Sequence, residues 1–118
     1  MSESAADIPA LLARLRDQND AAAQQLGLQL GNANTQSPAA ALHLIAALDN
    51  PERKVRWAAA VALGFISGWP SARALINTAL RDGAIEVRAR AQEALRTHHE
   101  PGVREMLLAA LADESAAV

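Results

Sequence analysis

The chain has 118 residues, with 11 basic and 13 acidic side chains for a formal charge of −2 at neutral pH. That near-balance argues against a polyanion-binding surface built on bulk charge, and the absence of cysteine excludes disulfides, thiolate nucleophiles and Cys-ligated zinc. Apolar residues reach 51% while aromatics stay at 3%; the excess is alanine and leucine, which favours helix over sheet, and the length suits a single domain over 1–118.

The first residues, Met1 to Asp7, are acidic and polar. They lack the basic start and apolar run of an export signal, so a cytoplasmic location is expected. A lone helix follows over 7–17, with Leu11, Leu12 and Leu15 facing one side, placed to cover the open end of whatever stacks behind it. From there the chain repeats itself. The segment Val55 to Gly64 recurs as Val87 to Arg96, 32 residues on, and a weaker copy, Ala22 to Gly31, precedes it by 33. Pro38, Pro70 and Pro101 keep the same beat, and each is followed ten residues later by a leucine, Leu48, Leu80 or Leu111. Self-similarity of this length marks a stack of helical units, each unable to bury its apolar face alone.

Each unit is predicted to hold two helices, the units spanning 20–48, 51–81 and 84–112. In the first helix Val55, Ala59, Ala62, Leu63 and Ile66 form a helical stripe, matched by Val87, Ala91, Ala94, Leu95 and His98. In the second, Leu44, Ala47 and Leu48 correspond to Ile76, Ala79 and Leu80 and to Leu107, Ala110 and Leu111. Ser37-Pro38 and Asn50-Pro51 each offer a capping side chain before a proline at the first helical position. Asp82-Gly83 marks a turn, and Gly31 and Gly64 are expected to close helices. Gly27-x-x-x-Gly31 implies close packing of that helix on a neighbour. The expectation is an all-α protein: a short α-solenoid of about three helical hairpins plus an N-terminal capping helix. The longest nearly apolar run, Trp57 to Trp69, is too short to span a bilayer.

The pattern Asp-x-Val-Arg-x-x-Ala-x-x-Ala-Leu-Gly, present over Glu52 to Gly64 and Asp82 to Leu95, resembles the HEAT-like repeat of the phycobilisome lyase type. The resemblance covers roughly Asp20 to Asp113. It implies that the arginine after the valine pairs with an acid six positions earlier, which fits Asp82 with Arg88 and makes Asn50 with Arg56 a neutral variant; the first unit has Ala23 where that arginine would stand. It also implies a concave binding face lined by the second helices. Tetratricopeptide and ankyrin repeats share the period, but the first would need a tyrosine and the second a Thr-Pro-Leu-His run that this chain lacks.

Chemistry is sparse. His43 aligns with Leu75 and Met106, a core-edge position. His98-His99-Glu100 is a single His-Glu pair, where a metal centre needs three or more convergent ligands. Gly64-Phe65-Ile66-Ser67-Gly68 places its serine one residue late for a nucleophile elbow, with no strand before it. No catalytic residue, metal ligand or cofactor is therefore assigned, and the chain is expected not to be an enzyme.

The expected function is binding. Removing the buried positions from the second helices leaves Ala41, Ile45 and Asp49; Arg73, Asn77 and Arg81; and Arg104, Leu108 and Ala112, with Leu42 one column over. Arginine beside apolar area suits a protein or peptide carrying carboxylates. Trp57 and Trp69 fall off the repeated stripe, so they are either gap-fillers between units or hot spots. The candidate contact set is thus Ile45, Trp57, Trp69, Arg73, Asn77, Arg81, Arg104 and Leu108. Arginines on the first helices are interleaved with Glu52, Glu86 and Glu93, which favours ion pairing over a nucleic-acid stripe. The expected role is a non-catalytic adaptor or scaffold. The alternative implied by the resemblance is a subunit assisting bilin attachment or removal, and self-association through the last repeat follows if Met106, Leu107 and Leu111 leave an apolar flank.

Overall fold

A computed structural model of the chain describes residues 7–98, 105, 108 and 109. Among them every regular element is helical: α1 (Ile8–Ala13), continued by a 3-10 turn over Arg14–Asp17, then α2 (Asp20–Ala33), α3 (Pro38–Ala47), α4 (Arg53–Leu63), α5 (Trp69–Arg81) and α6 (Ile85–Leu95). Of the second helix expected in the last unit, only Glu105, Leu108 and Ala109 are described, and all three are helical.

Helix starts follow the local chemistry, since the first turn leaves N–H groups that need acceptors. Asn19 Oδ1 accepts from the Ala22 N–H at 2.9 Å, and Ser37 Oγ from the Ala40 N–H at 3.1 Å with Pro38 at the first helical position. At Asn50-Pro51 the expectation is corrected: α4 begins two residues later, after Glu52. Asn50 Oδ1 accepts from the Glu52 N–H at 2.8 Å, which closes a turn over Pro51 instead of capping the helix. Asp82 does the same one unit on, accepting from Ala84 N–H at 2.9 Å before α6.

The helices pack in two layers. The helices that open each unit, α2, α4 and α6, stack on one another; α3 and α5 lie over them, and α1 covers α3 and α4. The result is a short α-solenoid centred on α4. Ala58, Ala59, Ala60, Ala62 and Leu63 of α4 are fully buried, and the whole stripe Val55, Ala59, Ala62, Leu63 and Ile66 is in the core. Small residues let axes approach closely. A Cβ added at Gly27 would stand 2.7 Å from Val61 Cβ and 2.8 Å from the Ala58 carbonyl; at Gly31 it would meet the Ala62 carbonyl at 2.8 Å. The close packing expected of Gly27-x-x-x-Gly31 is therefore what joins α2 to α4.

Several expectations change. Gly31 does not close α2, which runs on to Ala33; its small size is used against α4. Gly64 caps α4 in right-handed conformation, and among the described residues only Gly68 has positive φ, at 119° just before α5. Ala41 is buried against α5, not exposed, and Leu80 is half-buried, not core, near the end of α5. The end of α4 is held by the next unit: Thr97 Oγ1 donates to the Gly64 carbonyl, and His98 Nε2 lies 2.8 Å from the Leu63 carbonyl. The first bond occupies a carbonyl at the helix terminus; the Leu63 carbonyl also accepts from the Ile66 N–H at 3.3 Å.

Candidate binding face

The inter-unit turns carry the most developed polar contacts. Arg56 donates to the Asn50 carbonyl at 2.9 Å, and Arg88 donates to the Asp82 carbonyl, the two contacts spanning the same six residues. The pairing expected of Asp82 with Arg88 is thus made by the Asp82 main chain. Its carboxylate, only 5% exposed, instead takes Arg56 of the preceding unit, with Nε to Oδ2 at 3.0 Å. An arginine fork can serve two turns at once because it has five donors. The first unit has no such arginine; there Lys54 reaches back to the Arg16 carbonyl at 3.0 Å and the Gln18 carbonyl.

Trp57 belongs to this first layer. Its indole N–H donates to Gln24 Oε1 on α2 at 3.1 Å, and the Arg53 and Arg90 guanidinium carbons lie 5.6 and 5.9 Å from the ring centroid. Arg53 also pairs with Asp20 at 2.7 Å and approaches Glu86 at 3.9 Å; the Asp20 bond holds its guanidinium above the ordinary range, so the charge is fixed. Trp57 is half-buried in this row and bridges α2, α4 and α6. Trp69, the first residue of α5, is half-buried against the core.

The second layer is different. Two clefts adjoin at Ile45. The upper one, about 360 Å³, lies between the N-terminal halves of α3 and α5, with Pro38, Ala41, Leu42, Ile45, Pro70 and Ser71 as walls and floor. Leu42 is 68% exposed on its rim. Ser71 is buried to 1%, and its hydroxyl has no hydrogen-bond partner. The lower cleft, about 520 Å³, is polar, lined by Ile45, Asp49, Asn77, Arg81 and the Arg56–Asp82 pair. Arg73 is exposed on α5, one turn from Pro70 and one from Asn77.

The structure therefore brings Ile45, Asn77 and Arg81 to one cleft; Arg73, exposed one turn from Pro70, lines neither cleft. Trp57 lies in the other layer, and Trp69 at the root of α5. Leu108 is helical and exposed; Arg104, Ala112, the His99-Glu100 pair and the apolar flank at Met106, Leu107 and Leu111 lie outside the described residues. Pattern reasoning missed Pro38 and Pro70 as cleft walls, having used them as punctuation. It also missed Ser71, whose repeat counterpart Ala39 is exposed and so gave no signal of burial.

Among the described residues no group of three His, Asp or Glu side chains could hold a metal ion, and no helix is long and apolar enough to cross a membrane. A family model for HEAT repeats matches residues 8–96. A search of curated proteins finds no match to the chain.

Proposed function

The chain belongs to the HEAT-repeat family, and from that premise we propose that it is an adaptor or scaffold, without chemistry of its own, that takes a partner on the α3–α5 face. HEAT repeats generally mediate protein–protein interaction. The observation that carries the choice of face is the pair of clefts meeting at Ile45, with Leu42 exposed beside them. Apolar area rimmed by arginine is the composition of interface centres. The finer kinship, to repeats of the phycobilisome lyase type, rests on the Val55-Arg56 and Val87-Arg88 pattern. A cytoplasmic setting is part of the same reading.

The test is affinity capture from host lysate with the full chain, read by mass spectrometry. Leu42→Asp with Arg73→Glu is set against Arg90→Glu, which alters the first layer. A partner kept by Arg90→Glu and lost by the double variant supports the face. A partner lost equally by both, or kept by both, removes it. Titration with a free bilin tests the lyase kinship: an unchanged absorbance spectrum counts against a pigment-handling role.

A further inference from the structure

We propose that the α3–α5 face recognises an extended peptide bearing a bulky apolar side chain and, two residues away, a carboxylate: the apolar group seats in the Pro38–Leu42–Pro70 cleft and the carboxylate meets Arg73. This rests on the face argued above and names the chemistry that fits it.

Charge is distributed unevenly between the two layers. In the first, Arg53 and Arg56 are matched by Asp20, Glu86 and Asp82. In the second, neither α3 (Pro38–Ala47) nor α5 (Trp69–Arg81) contains an acid, while α5 carries Arg73, exposed on its surface. Among the described residues no acid pairs with Arg73. Asp49 lies beyond the end of α3 and lines the lower cleft together with Arg81, so an incoming carboxylate is disfavoured there and favoured at Arg73, toward the upper cleft. Complementary charge fixes register and orientation more than it adds affinity.

The spacing sets the motif. Pro70 walls the upper cleft and Arg73 stands three residues along the same helix, about 4.5 Å in rise, with the length of its side chain adding to its reach. An extended peptide advances roughly 3.3 Å per residue and turns alternate side chains to the same face. Groups at positions i and i+2 therefore reach the cleft and the guanidinium together. Ser71 forms part of the cleft floor, but its hydroxyl is closed to solvent, so recognition rests on the apolar walls and Arg73. No part of this needs the first layer to move.

The probe is a fluorescein-labelled, amidated peptide, Gly-Ser-Leu-Thr-Glu-Ser-Gly-Ser, titrated with full-length protein and read by anisotropy. Saturable binding is expected, with the Leu→Ala and Glu→Lys versions at least about tenfold weaker, the equivalent of 1.4 kcal/mol each. Arg73→Glu is expected to reverse the preference, binding the Lys version over the Glu version. Leu42→Asp should weaken both while leaving the thermal transition unchanged. Equal binding of Glu and Lys peptides, no reversal in Arg73→Glu, or no saturable binding overturns the proposal. A concentration-dependent dimer in sedimentation that Arg73→Glu dissolves also overturns it, in favour of a second copy as the occupant. If the peptides fail while lysate capture still depends on Leu42, the motif falls and the face stands; if capture is indifferent to Leu42 as well, both fall.

Discussion

Both layers of this solenoid carry arginine and leucine, and they use them differently. In α2, α4 and α6 several long polar side chains reach a neighbouring unit: Arg53 to Asp20, Arg56 to Asp82, Trp57 to Gln24. In α3 and α5, Arg73 is exposed with no acid paired to it among the described residues, and Leu42 is 68% exposed on the rim of the upper cleft. The first layer spends its polar groups on register between units, as a repeat protein must, because stability is carried by neighbour-to-neighbour interfaces. The second layer, where the described residues show fewer such bonds, is where composition can vary to suit a partner. A chemical feature shared by both layers therefore says nothing about function until its bonds are counted.

The comparison breaks most easily at leucine. Leu63 in α4 is fully buried and Leu42 in α3 is 68% exposed. Leu63→Ala is expected to cost about 2–5 kcal/mol of unfolding free energy, and Leu42→Ala less than about 0.5 kcal/mol. Urea titration followed by circular dichroism measures both. Similar losses for the two would mean that the layers are not distinct in packing. Leu80, half-buried, should fall between them.

Asp82 is the next largest effect. Its removal leaves Arg56 half-buried with only the Asn50 and Pro51 carbonyls and strips the Ala84 N–H of its acceptor. Asp82→Ala should destabilise by about 2 kcal/mol, less than a fully buried pair because Arg56 keeps those two bonds. Asp82→Asn keeps the turn acceptor and should recover about 1 kcal/mol of it, as Asn50 already serves the equivalent turn. Equal losses for Ala and Asn would place the whole effect in the ion pair and none in the turn. Gly27→Ala follows, at roughly 1–2 kcal/mol: overpacking against Val61 exceeds the gain in helix propensity. A stabilised Gly27→Ala would show that α2 can retreat from α4 at little cost.

The periodic features were legible in the sequence and the aperiodic ones were not. A 32-residue recurrence of Val and Ala-Leu reports buried positions on one helix face, and Val55, Val87, Ala62, Leu63, Ala94 and Leu95 are buried. The Ser37-Pro38 start was readable because capping is a local event within four residues. Asn50-Pro51 misled because the same side chain can cap a helix or close a turn, and the choice depends on where Arg56 finds its carbonyl. Gly31 misled because glycine ends helices and also admits neighbours, and only the position of Phe65 and Ala62 decides. The clefts are the least legible feature, since they arise where α3 and α5 leave space, and no single helix encodes a space. Trp57 stood out as an irregularity, but its partners Gln24 and Arg90 come from units 33 residues away on either side, which alignment of the repeats suggested and only the packing fixed.

The smallest effect separates the layers most cleanly. Arg53, partly exposed, and Arg73, exposed, are arginines on opposite layers. Arg53→Glu would set a carboxylate beside Asp20 and Glu86 and remove a cation from the face of Trp57. The Arg53 and Asp20 side chains are 31% and 53% exposed, so solvent screens the loss to about 1 kcal/mol, shrinking further as salt is added. Arg73→Glu, with no acid beside it among the described residues, should change stability by less than about 0.5 kcal/mol at any salt concentration. Thermal melts of both variants in low and high sodium chloride make the comparison directly. A salt-dependent loss in Arg53→Glu alone fits a first layer whose charges hold units in register. Should Arg73→Glu show the same salt-dependent loss, its guanidinium would be holding the fold, and the second layer would have no charge to offer a partner there.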